Sequence, residues 1–267
     1  MRIVYKTILT LSYFLISGAW ANTPKLEFSI SNGTTKSFTL DELKLKLNTH
    51  EITFRDPHYS KVKRYSAFLI YDVLQLAYGK EWEKDIYTDV AFTALDGYTA
   101  IAKIYKLKEQ GGYLTFFDLD VKEWEPVGRK KAIPGPFYLV WTGKQQTTEY
   151  EFPWPWQLAS INLIRFEDQY PAVYPQGARV DSSIIKGFQI FKYRCFRCHS
   201  INQQGGKIGP DLNAPKSIVE YRSRKMIKEF IKHPSKYRYT QMPDHLDLSE
   251  HDLDALLAYF WYKRKSK

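Results

Sequence analysis

Cysteine is almost missing from this chain: 267 residues contain two thiols, Cys195 and Cys198. That scarcity excludes a multi-bridge disulfide scaffold and a four-cysteine zinc site. Methionine is nearly as rare, with Met1, Met226 and Met242. After residue 21 no apolar run approaches the about 20 residues needed to cross a bilayer. Residues 22–180 lack net charge, with 20 Lys and Arg against 20 Asp and Glu, whereas residues 181–267 carry 17 against 9. The basic excess therefore belongs to the last third. There is no internal repeat and no low-complexity tract. The short runs Arg129-Lys130-Lys131 and Lys263-Arg264-Lys265 read as solvated surface or a frayed tail, so no nucleic-acid role is assigned.

What is present is concentrated. Both thiols fall in Cys195-Phe196-Arg197-Cys198-His199, and Cys-x-x-Cys-His is the attachment signature of a covalent c-type haem. Each thiol can form a thioether to one vinyl group, and the adjacent His199 reaches the iron from the proximal side. A small structural disulfide or a thioredoxin-like redox pair leaves His199 unexplained. A zinc site needs further ligands, and the remaining histidines, His50, His58, His233, His245 and His251, are not paired at knuckle spacing. The expectation is one covalent haem c.

The first residues read as an export signal. Arg2 and Lys6 are followed by an apolar stretch from Ile8 to Ile16 and by Ala19-Trp20-Ala21, which predicts cleavage after Ala21 and a periplasmic mature chain beginning at Asn22. That stretch is too short and too rich in Ser and Thr for a spanning anchor, so the mature chain is expected not to cross a membrane. Residues 170–182 hold Tyr170-Pro171-Ala172-Val173-Tyr174-Pro175-Gln176-Gly177 and read as an extended linker. It would separate a domain at 22–169 from one at 183–267.

The last part predicts helices. Residues 184–194 lead into the haem motif, with Gly187 allowing close helix approach and Phe188 and Phe191 on one face. Residues 225–232 place Met226, Ile227, Phe230 and Ile231 on a stripe that stops at Pro234. Ser249-x-x-Asp252 is an N-cap ahead of Leu253, Leu256, Leu257 and Phe260. For the second axial ligand Met242 is preferred, because it lies 43 residues beyond His199 in the non-helical Thr240-Gln241-Met242-Pro243 and because His/Met ligation marks electron-transfer cytochromes. Met226 reads as core packing. His245, His233 and an open sixth position remain as alternatives.

With these residues in view, about the last 85 positions resemble the class I cytochrome c family. The resemblance implies Cys195 and Cys198 as thioether anchors and His199 and Met242 as axial ligands. Gly209-Pro210-Asp211-Leu212 is similar to the family's Gly-Pro-x-Leu loop, which implies that the Pro210 carbonyl accepts a hydrogen bond from the His199 ring. Gly187 and Phe191 resemble the family's first-helix contacts, with Leu256 and Tyr259 as partners on the last helix.

The first part alternates Leu26, Phe28 and Ile30 with polar residues and turns at Asn32-Gly33, a hairpin signature. Thr39-x-x-Glu42 caps a helix, and Leu69, Ile70, Val73, Leu74 and Ala77 give another that ends at Gly79. Strands are expected at 90–95, 99–105, 113–117, 137–142 and 161–166. The fold class expected for the whole is therefore α+β in two domains, a strand-rich mixed α/β N-terminal domain followed by an all-α cytochrome domain.

Leu95-Asp96-Gly97-Tyr98 and Pro134-Gly135-Pro136-Phe137-Tyr138-Leu139-Val140 resemble two segments of the sulfite-oxidase-type molybdopterin fold. That family also holds its molybdenum through a protein cysteine, and this part of the chain has none. The aromatics Trp141, Phe152, Trp154 and Trp156, interleaved with Pro153 and Pro155, read first as residues that plug a core or rigidify a loop, and as a ligand groove or partner platform if exposed. His50 and His58 read as surface residues in loops.

The functional expectation is a monohaem electron carrier with no catalytic residues of its own. Its first domain would dock a redox protein, and its basic haem domain would steer toward an acidic docking surface. The alternative is a periplasmic oxidoreductase, or a subunit of one, whose first domain binds substrate or molybdopterin and passes electrons to the haem.

Overall fold

The computed structural model describes residues 24–264, apart from 31, 32, 34, 122, 129 and 130. The predicted export signal and Arg129-Lys130 lie outside the described residues. Alternating apolar residues give β1 (Lys25–Ile30) and β2 (Thr35–Thr39), the expected hairpin, with Leu26 opposite Phe38. Thr39 then caps α1 (Leu40–Lys46): its hydroxyl accepts from the Glu42 amide, and Glu42 accepts from the Thr39 amide.

The elements that follow are β3 (His50–Asp56), β4 (Lys61–Leu69), α2 (Ile70–Tyr78), β5 (Asp89–Ala94), β6 (Thr99–Lys103), β7 (Gly112–Asp118), β8 (Tyr138–Trp141) and β9 (Leu158–Ile164). One sheet has the order β2-β1-β9-β5-β6, with β1 and β9 parallel, and the other the antiparallel order β3-β4-β7-β8. The β3–β4 hairpin is missing from the sequence expectation. His50 opens a strand instead of sitting in a loop, and the alternation of Ile52 and Phe54 with Glu51, Thr53 and Arg55 is its signal.

Next come α3 (Phe166–Gln169), α4 (Ser183–Ile190), β10 (Ser200–Ile201), β11 (Gln204–Gly205), α5 (Ile218–Tyr221), α6 (Arg224–Lys232), α7 (Pro234–Tyr237) and α8 (Glu250–Lys263). The all-α reading of this part is corrected: β10 and β11 form an antiparallel ladder, and two of the helices are single turns of four residues. Gly205, Gly206, Gly209, Pro210 and Pro215 cannot sustain a helix between His199 and Ser217. Met226 is also corrected. It lies on α6 but is 44% exposed, while Ile227 and Ile231 are buried.

α4 and α8 form the central clasp of this part. A Cβ on Gly187 would lie 2.0 Å from the Ala255 carbonyl oxygen, so only glycine permits this approach. Phe191 and Tyr259 pack with ring centroids 5.4 Å apart. The surrounding core is shared with the strand-rich part: Phe188, Phe191, Phe196, Leu256 and Phe260 pack with Ala91 of β5, Ile101 of β6, Ile164 of β9 and Phe166.

The segment expected as an extended linker is packed. Val173 is fully buried, its carbonyl accepts from the Tyr259 hydroxyl at 2.7 Å, and the Tyr174 carbonyl accepts from Lys263 at 3.1 Å. Lys263 is accordingly buried and not part of a frayed tail.

A buried ion pair crosses the same boundary. Lys192, in the π-helical turn Phe191–Cys195 that continues α4, meets Asp89 of β5 at 2.8 Å, with the two side chains 4% and 1% exposed. Burial pushes the Lys192 ammonium down to about 8, against the opposing pull of Asp89.

Asp252 fixes the start of α8. It accepts from the Ser249 amide and hydroxyl and pairs with Lys186 of α4 at 2.8 Å. The Lys186 bond, then the Ser249 hydroxyl, hold its carboxyl down at about 2, against about 3.9 for a free aspartate. A depressed carboxylate contributes stability above its unfolded pKa, and the contribution disappears as pH falls through the folded value. Asp252→Asn is therefore expected to be less stable than the wild type at pH 6, with the gap closing between about pH 4 and pH 2. Urea unfolding across that range measures it, and a gap independent of pH would refute the assignment.

Candidate haem-attachment site

α4 delivers the motif. Its last turn widens into the π-helical turn, and the Phe196 and His199 amides bond back to the Phe191 and Cys195 carbonyls. The chain then folds over itself. Glycine is required here, at Gly206 and Gly209 among others: a Cβ on Gly206 would lie 2.3 Å from the Arg197 carbonyl oxygen, and one on Gly209 would lie 2.5 Å from His199 Cε1.

The structure brings His199 and Pro210 together, with Nδ1 2.8 Å from the Pro210 carbonyl oxygen. A carbonyl only accepts, so Nδ1 carries the proton and Nε2 is left as a free donor of its lone pair. Burial lowers the His199 pKa and favours that neutral ring, against the opposing Pro210 bond.

Cys195 and Cys198 are both free. Burial pushes the Cys195 thiol up to about 12 and also raises Cys198, with the Arg197 charge opposing both. A dithiol redox pair needs the opposite, a depressed thiol. Met242 and Leu212 lie partly buried against the core around Phe191 and Phe196. His245 is pushed down by burial and feels the Arg194 charge, and His233 marks the break between α6 and α7. Among the described residues no group of three or more His, Cys, Asp or Glu could hold a metal ion.

Two thiols, a neutral imidazole with one free nitrogen and a thioether on the adjoining core fit haem c. Cys195 and Cys198 would anchor it, and His199 and Met242 would flank its iron.

Two contributors are absent from the sequence expectation. Asp211, between Pro210 and Leu212, ties the whole loop: it accepts from the Ser200 hydroxyl and from the Gln203, Asn213 and Ala214 amides at 2.6–2.9 Å. The Gly-Pro-x-Leu pattern leaves that position unspecified, so only the density of amides around it reveals its role. The other is Arg197, which leaves its loop altogether. Its guanidinium donates to the Tyr193 carbonyl at 2.6 Å, the Tyr98 hydroxyl at 3.2 Å and the Glu149 carbonyl at 3.2 Å.

The expected Asp-Gly-Tyr turn thus has a function in packing. It connects β5 to β6 and grips the attachment loop: the Thr99 amide donates to the Arg197 carbonyl, and the Lys207 amide to the Gly97 carbonyl.

The aromatics interleaved with Pro153 and Pro155 plug the core instead of forming an exposed platform. Trp141, Phe152 and Trp154 are buried, and Trp141 Nε1 donates to the Pro153 carbonyl at 2.8 Å. His58 is likewise no mere surface residue. It stacks on Trp156 with centroids 5.2 Å apart, and its amide donates to Asp56, a buried carboxylate that also accepts from Tyr65 and Tyr138.

Residues 184–262 match the family model described as Cytochrome c. That match supports a C-terminal c-type cytochrome domain, and with it haem c, haem-based electron transfer and redox protein partners. No curated protein matches the chain. Among the described residues no helix is long and apolar enough to cross a membrane.

Removing the Asp211 carboxylate strands several amides. Asp211→Ala is expected to cost about 1–3 kcal/mol and to loosen Pro210 against His199, whereas Asp211→Asn keeps acceptor capacity and most of the stability. Denaturant unfolding compares them, and equal losses would show that the acceptor role is not what matters.

Proposed function

We propose that this protein is an exported, periplasmic cytochrome with one covalent haem c that passes single electrons between redox proteins. The observation that carries the reading is the 2.8 Å contact between His199 Nδ1 and the Pro210 carbonyl inside the Cys-x-x-Cys-His loop, which orients the free Nε2 as a ligand.

The bound haem would supply one-electron exchange between Fe(II) and Fe(III). The chain's own residues do the rest. Cys195 and Cys198 hold the group covalently. Pro210 and Gly209 fix the ring of His199, and Met242 contributes a soft thioether that favours the reduced state. The core around Phe191, Phe196 and Leu256 lowers the local dielectric.

The strand-rich region, 22–169, acts as the docking module and the region 183–267 as the electron-carrying unit. The excess of Lys and Arg over residues 181–267 suits a partner with an acidic docking surface, a field screened over about 8 Å at physiological ionic strength. An oxidoreductase role for the strand-rich region rests on the two segments that resemble the molybdopterin fold, and two observations weigh against it. That region has no cysteine, and the Asp96-Gly97-Tyr98 turn is engaged with the attachment loop.

Expression with haem-maturation machinery is expected to give one haem per chain that resists acidic acetone extraction, and replacing Cys195 and Cys198 together is expected to make it extractable. Haem that stays bound in the double variant would refute the thioether assignment.

Met242→Ala should change the absorption spectrum away from His/Met ligation and lower the potential, because the thioether that prefers Fe(II) is gone. Met226→Ala, at an exposed site beside Arg222, should leave both unchanged. Spectra and potentiometry of the two variants decide between the methionines, and the reverse pattern would exchange their roles.

A further inference from the structure

Arg197 and Glu149 come from different parts of the chain and meet beside the haem motif. The guanidinium Nη1 lies 3.7 Å from Glu149 Oε2, and Nη2 donates to the Glu149 carbonyl. The Arg197 side chain is 13% exposed and its Nε is buried without a partner, so its charge sits in a poorly hydrated place. Tyr98, from the β5–β6 turn, donates no charge but accepts from the same guanidinium at 3.2 Å. Glu149 belongs to the segment between β8 and β9, and its other oxygen lies 3.8 Å from His58 Nε2. The next residue, Tyr150, packs its ring 4.5 Å from the Arg194 guanidinium. The strand-rich region thus places a carboxylate against the cation that stands between the two thiols in sequence.

We infer that the strand-rich region helps set the reduction potential of the haem site, with Arg197 as the positive charge, Glu149 as its counter-charge and Tyr98 as the positioning residue that holds the guanidinium. The inference rests on the haem reading given under Proposed function. Its physics is Coulombic. Accepting one electron adds one negative charge to the site. A cation held nearby in a poorly hydrated place favours the reduced state, and a carboxylate there favours the oxidised state. The pair therefore has two members of opposite sign, which a purely mechanical clamp does not.

The test uses the full-length holoprotein and potentiometric titration of Arg197→Gln, Arg197→Lys, Glu149→Gln and Tyr98→Phe. Arg197→Gln is expected to disfavour reduction by about tenfold, a fall of 59 mV for a one-electron couple. Glu149→Gln is expected to move the potential upward, by less, because its side chain is 52% exposed. Arg197→Lys keeps the charge and should restore most of the wild-type value. Tyr98→Phe removes one hydrogen bond and should move the potential in the same direction as Arg197→Gln, by less.

Opposite signs for Arg197→Gln and Glu149→Gln sustain the inference. Shifts of the same sign, as simple loosening would give, or no shift in either, overturn it. If Arg197→Gln does not mature, the upward shift of Glu149→Gln decides alone. A wild-type protein without covalent haem would refute the haem reading itself, whereas a holoprotein whose potential ignores positions 149 and 197 would refute only this inference.

Discussion

Asp89 and Lys192 meet at 2.8 Å with almost no solvent on either side, and much of the architecture follows from the need to keep that pair together. Asp89 opens β5, which lies between β9 and β6, and so brings the five-stranded sheet with it. Lys192 lies on the turn that enters the attachment motif and brings α4 and, through Gly187, α8. A buried charge left alone costs about 3–5 kcal/mol, so the sheet cannot shift along the helical pair without leaving one behind. The Thr88 hydroxyl at 2.7 Å, Lys103 at 3.4 Å and the Tyr193 hydroxyl at 3.4 Å also approach Asp89. Lys192 also lies 4.5 Å from the centre of the Phe166 ring, on the last element before the Tyr170–Gly177 segment. Ion pair, shared apolar core and packed connection all press the same two surfaces together.

The parts of the fold that could be read in the sequence are those in which local chemistry decides. Thr39 and Ser249 announce their helices because a cap needs only residues three positions apart. The alternation through Leu26, Phe28 and Ile30 reads as a strand because one face is buried and the other is not. The β3–β4 hairpin escapes because its charged residues, Arg55, Lys61, Lys63 and Arg64, look like surface loop, while Lys63 is in fact buried against Asp118 at 2.6 Å and Glu125 at 3.0 Å. No local pattern reveals that a lysine has its partners about sixty residues away. The same holds for Tyr170–Gly177, whose prolines read as linker although their neighbours Val173 and Tyr174 are claimed by α8.

The haem site divides in the same way. Cys195, Cys198 and His199 are legible because the chemistry needs them at fixed spacing, and Pro210 is reached through the resemblance of Gly209-Pro210-Asp211-Leu212 to the family's Gly-Pro-x-Leu loop. Arg197 and Asp211 are not legible: each occupies a position that the motif leaves free, and each acts through partners supplied by tertiary folding. Asp211 turns backbone amides inward around one carboxylate, so the path of the loop is set by hydrogen bonds and not by apolar packing. Arg197 depends on Tyr98 and Glu149, 99 and 48 residues away along the chain.

The seating of His199 has a consequence for the speed of electron exchange. The ring is held by the Pro210 carbonyl on one nitrogen and lies against Gly209 so closely that no methyl group would fit between them. It therefore has little freedom to turn when the charge beside it changes. Groups already aimed where charge will appear need not rearrange at the moment of transfer. With haem bound, this side of the pocket would add little to the reorganisation energy of electron transfer.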